Sequence, residues 1–129
     1  MMALLETLKT ALAAIPGVVS CRIGLEENIT PDDYPIVRLV PSRAAEGAAY
    51  AHRKVELLIY FGMPIQPFDD APDAAGRVRL EKLYAALFAM ETAIIAGLGQ
   101  AGARYVETIT DEDRIETYKL MAVRCDFEG

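Results

Sequence analysis

The sequence predicts an α+β fold: a mixed, mainly antiparallel sheet with two helices packed on it, in the order α-β-β-β-α-β-β. Three observations lead there. Apolar residues recur at three- and four-residue spacing in two segments, Leu4–Ala14 and Arg77–Leu98. Runs rich in β-branched and aromatic residues occupy Val18–Leu25, Pro35–Val40, Arg53–Phe61, Ala103–Thr110 and Arg114–Phe127. Clusters of proline, glycine and acidic residues punctuate the boundaries between them. A length of 129 residues fits one domain spanning 1–129 with a single core.

The first helix places Leu4, Leu5, Leu8, Leu12 and Ile15 on one face, and Pro16-Gly17 ends it. Glu6 and Lys9 break its apolar stretch and no basic segment precedes it, so it reads as a soluble helix rather than an export signal. Val18–Leu25 is a loosely alternating strand carrying Cys21 and Ile23. Pro35 and Pro41 bracket a short strand, confined by its prolines. The alanine-rich segment Ser42–His52 is long for a hairpin connection and is expected to be a mobile arm.

Arg53–Phe61 is the clearest strand. Val55, Leu57, Ile59 and Phe61 face one way, and Lys54, Glu56, Leu58 and Tyr60 the other. Apolar groups on both faces mark a central strand, partly covered on each side. Gly62-Met63-Pro64 is expected to end it, and Asp73 to cap the long helix. On that helix Leu80, Leu83, Tyr84, Leu87, Phe88, Ile94, Ile95 and Leu98 form one broad stripe with Glu91 near its centre. Ala85, Ala86, Ala89, Ala93 and Ala96 lie opposite. Alanine there either serves helix propensity alone or lets another subunit pack closely. Ala103–Thr110, a turn at Asp111-Glu112-Asp113, and Arg114–Phe127 make a closing hairpin. On its last strand Ile115, Thr117, Lys119, Met121, Val123, Cys125 and Phe127 share one side.

Composition narrows the function. The formal net charge is −6, and no Lys/Arg cluster with interleaved aromatics occurs. Such a chain is poorly suited to grip phosphate backbones or an anionic membrane. The cytoplasm is the expected compartment, with Cys21 and Cys125 as reduced thiols. Catalytic constellations are poor. The single histidine is His52, and the serines are Ser20 and Ser42, without a nucleophile elbow. Cys21, Cys125 and His52 lack zinc-site spacing, and the acidic runs Asp69/Asp70/Asp73 and Asp111/Glu112/Asp113 match no calcium loop. The reading is a non-enzyme with no metal and no cofactor. Glu91 has two readings: a carboxylate in a functional cleft, or a buried or seam carboxylate that pairs with an arginine or hydroxyl. Arg22, Arg38, Arg53, Arg104 and Arg124 are the candidate partners.

Four segments, YPIVRLVPS (Tyr34–Ser42), RKVELLIYFG (Arg53–Gly62), RLEKLYAALFAMETAIIAGL (Arg79–Leu98) and YKLMAVRCDFEG (Tyr118–Gly129), stand in an order that resembles small phage tail terminator proteins, the family of minor tail protein U. The resemblance covers nearly the whole chain and rests on layout, size and strand texture. It implies a structural protein of a phage or prophage, assembled in the bacterial cytoplasm and carried in the virion tail. It implies a ring, usually of six copies, that caps the tail tube, stops its polymerisation and offers a surface to the head connector protein. DNA would pass through the lumen of a net-negative ring without specific binding. Candidate contacts with a neighbouring copy or the tail tube protein are Arg43, Glu46, Tyr50, His52 and Arg53 from the arm, and Ala85, Ala89 and Ala93 from the helix. Another head–tail connector or completion protein, and a small α/β ligand-binding domain or enzyme using Glu91, are the competing expectations.

Overall fold

The core is built on one face of a five-stranded sheet. In this computed structural model, residues 2–24, 29–46, 53–110 and 118–128 are described. The elements are α1 (Met2–Ala13), β1 (Ser20–Ile23), a 3-10 turn (Pro31–Asp33), β2 (Ile36–Glu46), β3 (Arg53–Pro64), α2 (Arg79–Gln100), β4 (Arg104–Thr110) and β5 (Tyr118–Glu128). The sheet order is β1-β2-β3-β5-β4. Only β1 and β2 run parallel; the other three pairings are antiparallel. The chain therefore has the expected α+β class and element order, with β3 central.

The central strand explains the layering. Val55, Leu57, Ile59 and Phe61 are at most 2% exposed, and all point to the side that carries both helices. Their register partners on the same side are Val37 and Leu39 from β2, and Met121, Val123, Cys125 and Phe127 from β5. Leu5, Leu8 and Leu12 of α1 close this core from one end. Leu83, Leu87, Met90, Ile94 and Leu98 of α2 close it from the other. Each such leucine contributes about 1.5–3 kcal/mol by leaving water. An 18-residue stretch of α2 is apolar enough, by length and composition, to span a bilayer, with a mean hydropathy of 1.4. About a third of that stretch is buried in the fold.

Three boundaries differ from the sequence expectation. β2 does not stop at Pro41 but continues to Glu46, so Ser42–Glu46 is strand rather than arm. β1 accompanies β2 only as far as Leu39. Beyond that point one side of β2 is unpaired among the described residues, and the missing N–H of Pro41 breaks no second ladder there. The extra residue is absorbed by an irregularity between Pro41 and Arg43, where the Ser42 hydroxyl donates to the Glu56 carbonyl at 3.2 Å. Residues 47–52 of the expected arm lie outside the described residues.

Gly62-Met63-Pro64 does not end β3 either; these residues pair with Leu120, Lys119 and Tyr118 of β5. Gly62 is needed for this. A Cβ there would collide with the Leu120 side chain and lie 2.9 Å from the Lys119 carbonyl oxygen. Asp73, expected as a helix cap, instead closes a local turn. Its Oδ1 accepts the N–H groups of Ala75 and Arg77, both at 2.9 Å, around Gly76 at φ +79°. The helix begins only at Arg79, where the Glu81 carboxylate accepts the Val78 N–H at 3.3 Å. The turn expected at Asp111–Asp113, with Ile115 and Thr117, lies outside the described residues.

Two substitutions probe this packing. Leu87→Ala should destabilise the fold by about 2–5 kcal/mol through a cavity under α2. Gly62→Ala should cost about 1–3 kcal/mol by forcing β3 and β5 apart. Urea unfolding should show both as lower midpoints with an unchanged slope.

Candidate functional site

The sequence predicts β3 partly covered on each side, but both helices cover the same face of the sheet, and among the described residues no helix lies on the opposite face. On it Leu58, Tyr60, Leu120 and Ile109 surround a shallow depression of about 160 Å³, with Ala122 at its floor. Ile109 is 40% exposed. No described helix covers this apolar ground. Near β1 the same face is sealed instead. Arg38 lies there fully buried, donating from Nη1 to the carbonyls of Ser20 and Val37 and from Nη2 to the Ser20 hydroxyl, all at 3.0 Å. The Ser20 hydroxyl in turn donates to the Asp33 carbonyl at 2.8 Å. Tyr34 stacks on Tyr118 with ring centroids 4.0 Å apart. Arg38 is thus a structural bracket between β1, β2 and the preceding turn.

At the other end of the open face lies a charged cluster around Asp126. The Arg104 guanidinium grips its carboxylate from Nε at 3.0 Å and Nη2 at 2.6 Å, and Lys54 Nζ stands 3.7 Å away. The bidentate Arg104 hydrogen bonds, then its charge and that of Lys54, hold the Asp126 carboxyl below the usual range. Arg124 is matched to Glu107 at 2.8 Å. Arg43, exposed on β2 across from Glu56, has no ion-pair partner among the described residues.

On α2 the expected single broad stripe divides in two. Leu83, Leu87, Met90, Ile94 and Gly97 face the core. Tyr84, Phe88, Glu91 and Ile95, each one position further on, form a second stripe at the rim. Tyr84, Glu91 and Ile95 are half-buried, and Phe88 is 43% exposed. Leu80, also expected in the core, is 57% exposed at the start of this stripe. Met90 takes the central place that the sequence assigned to Glu91, because the helix is rotated by one position. Tyr84 and Phe88 stack at 6.1 Å, and Lys119 Nζ lies 5.8 Å from the Tyr84 centroid.

Glu91 has no hydrogen bond or ion pair among the described residues. Of its candidate partners, Arg38 is held by Ser20 and Val37, Arg104 by Asp126 and Arg124 by Glu107, while Arg22 is exposed on β1. Ala89 is exposed, and Ala85 and Ala93 are half-buried on the back of the helix. Glu46 and Arg53 oppose each other in the β2–β3 register. Tyr50 and His52 lie outside the described residues. Sequence reasoning missed Asp126 as a charge hub; its only signal was an acidic residue between the buried Cys125 and Phe127.

Neither thiol is poised for chemistry. Burial pushes Cys21 up to about 11 and Cys125 to about 12. The Cys21 thiol donates to the Lys9 carbonyl at 3.6 Å. Among the described residues no group of three His, Cys, Asp or Glu side chains could hold a metal ion. A groove of about 650 Å³ between α1 and β1 is open and is lined in part by Glu6, Lys9 and Arg22. No family model matches the sequence, and no curated protein is significantly similar to it.

Asp126 makes a pH prediction. Its lowered carboxyl favours the folded state above the ordinary aspartate range, and that contribution is lost as pH falls through the depressed value. Asp126→Asn should lower the melting temperature at pH 7. It should also flatten the stability loss seen on acidification below about pH 4. Thermal melts of both proteins from neutral to strongly acidic pH would check this.

Proposed function

We propose that this chain is a structural tail protein of a phage or prophage that closes into a ring, hexameric by the family pattern, on the finished tail tube. The observation that supports this best is that one copy exposes unlike surfaces on its two sides. One side carries the apolar rim stripe of α2, and the other the open sheet face around Leu58, Tyr60 and Leu120. Contacts between unlike patches propagate head to tail, and they close into a ring when the rotation between copies allows it. The sheet also has two different unpaired edges among the described residues, β1 and β4, and β4 is exposed along most of its length. Tyr105, Val106 and Ile109 on it are 39–44% exposed. Such edges suit contacts with tube or connector subunits.

The ring would end tube polymerisation by occupying the surface on which the next tube subunit adds, and present its other side to the head connector protein. Arg43, Glu46, Tyr50, His52 and Arg53, with Ala85, Ala89 and Ala93, are the residues assigned to copy–copy or copy–tube contacts. At −6 per copy the ring would be strongly negative, which favours passage of DNA through the lumen over its capture. In this reading assembly takes place in the host bacterial cytoplasm, the protein ends in the virion tail, and no step requires a catalytic group or cofactor.

The purified protein should sediment as a multimer at high concentration and show closed rings by negative-stain microscopy. Particles assembled without it should carry overlong tubes. Tails of normal length in its absence would overturn the terminator role, and a different tail defect would point to another connector or completion protein.

A further inference from the structure

The rim stripe of α2 has the spacing of a packing seam. Tyr84, Phe88, Glu91 and Ile95 recur at intervals of four, three and four residues, as do the core residues Leu83, Leu87, Met90 and Ile94. One helix thus carries two adjacent seams, and the chain itself fills only one. The second contains a carboxylate at its middle. Glu91 stands half-buried between Phe88 and Ile95 and has no cation among the described residues. A charge in such a setting is tolerated at the surface of one copy but needs a partner once another surface covers it.

The position of Glu91 also selects the kind of partner. If two copies paired these stripes across a two-fold axis centred on the seam, the two Glu91 carboxylates would meet. Like charges brought together in an interface are strongly disfavoured. The seam therefore calls for an unlike surface that is apolar and carries one unmatched cation. The open sheet face of a second copy has both. Its apolar ground is Val40, Leu58, Tyr60 and Leu120, and among the described residues the exposed Arg43 beside it has no ion pair, while Lys54, Arg104 and Arg124 are matched to Asp126 and Glu107 and Arg22, also exposed, lies away on the edge strand β1.

We propose that α2 of one copy lies on the open sheet face of the next, with Glu91 against the neighbour's Arg43. This rests on the ring reading and specifies its seam. The spacings match to within about 4 Å, a difference that the long Arg43 side chain can span. From Glu91, Phe88 and Tyr84 lie about 4.5 and 10.5 Å back along the helix at about 1.5 Å per residue. From Glu56, the register partner of Arg43, Leu58 and Tyr60 lie about 7 and 14 Å along β3 at about 3.4 Å per residue. Setting Glu91 opposite Arg43 brings Phe88 toward Leu58 and Tyr84 toward Tyr60 along one line. Apolar pairs then supply the contact and the ion pair sets its register.

Charge reversal tests the seam. Glu91→Arg and Arg43→Glu, each confirmed as folded by circular dichroism and melting, should separately associate at least about tenfold more weakly than the parent protein in sedimentation velocity. Mixed in equal amounts they should reassemble, because the two variants then alternate and every junction again joins one cation to one carboxylate. Single variants that assemble like the parent, or a mixture no better than its components, would overturn the seam even if parent rings form. A mixture recovering only dimers, with parent dimers, would uphold the seam and overturn the ring. A parent protein monomeric at all concentrations would overturn both.

Discussion

The structure depends on burying one face of β3 beneath two helices. Val55, Leu57, Ile59 and Phe61 leave water almost completely, and the rest of the core gathers around this row from the helices and from β2 and β5. Apolar burial is the main favourable term in folding, and a chain of this size has a single place to concentrate it. Both helices are used on that one face. The consequence is a sheet whose reverse side has half-exposed leucine and tyrosine in its middle and charge at one end.

Polar side chains manage what the helices do not reach. Arg38 brackets β1 to β2 from the reverse side through three hydrogen bonds, and its burial is tolerated because the guanidinium is satisfied there. At the opposite end Asp126 gathers Arg104 and Lys54 and ties β4 and β3 to β5. Between these two anchored ends lies the apolar ground around Leu58, Tyr60 and Leu120. The reverse face is therefore secured at its ends and bare in the middle, a shape suited to receiving a helix from outside.

The organisation of α2 follows from the same constraint. A helix resting on a twisted sheet buries a stripe of limited width. This sequence supplies apolar residues over a greater width, so the surplus lies along the rim. Glu91 sits half-buried within that surplus, and Ala85, Ala89 and Ala93 lie on the back of the helix. The features invoked for assembly are thus the residues that the monomer core could not absorb.

Much of the architecture was legible in the sequence, because periodicity is a local property. The alternation in Arg53–Phe61 marked a central strand and separated its two rows, and the two sides of Lys119–Phe127 followed from the same rule, but which row faces the core was settled only by packing. Helix existence was equally readable, but helix rotation was not. Leu80, Phe88 and Glu91 passed for core positions because a broad apolar stripe fits several rotations, and only contact with the sheet selects the one centred on Leu87 and Met90. Strand ends escaped for a related reason. Pro41 and Gly62-Met63-Pro64 look like terminators in isolation, yet among the described residues β2 is unpaired on one side where Pro41 falls, and β5 reaches back to Pro64. The sequence by itself determined the class, the element order and the division of each strand into two rows, since those depend on neighbours along the chain. Which surfaces stay uncovered, and which charges stay unmatched, was decided by the tertiary structure, since both depend on what distant segments bring to the same place.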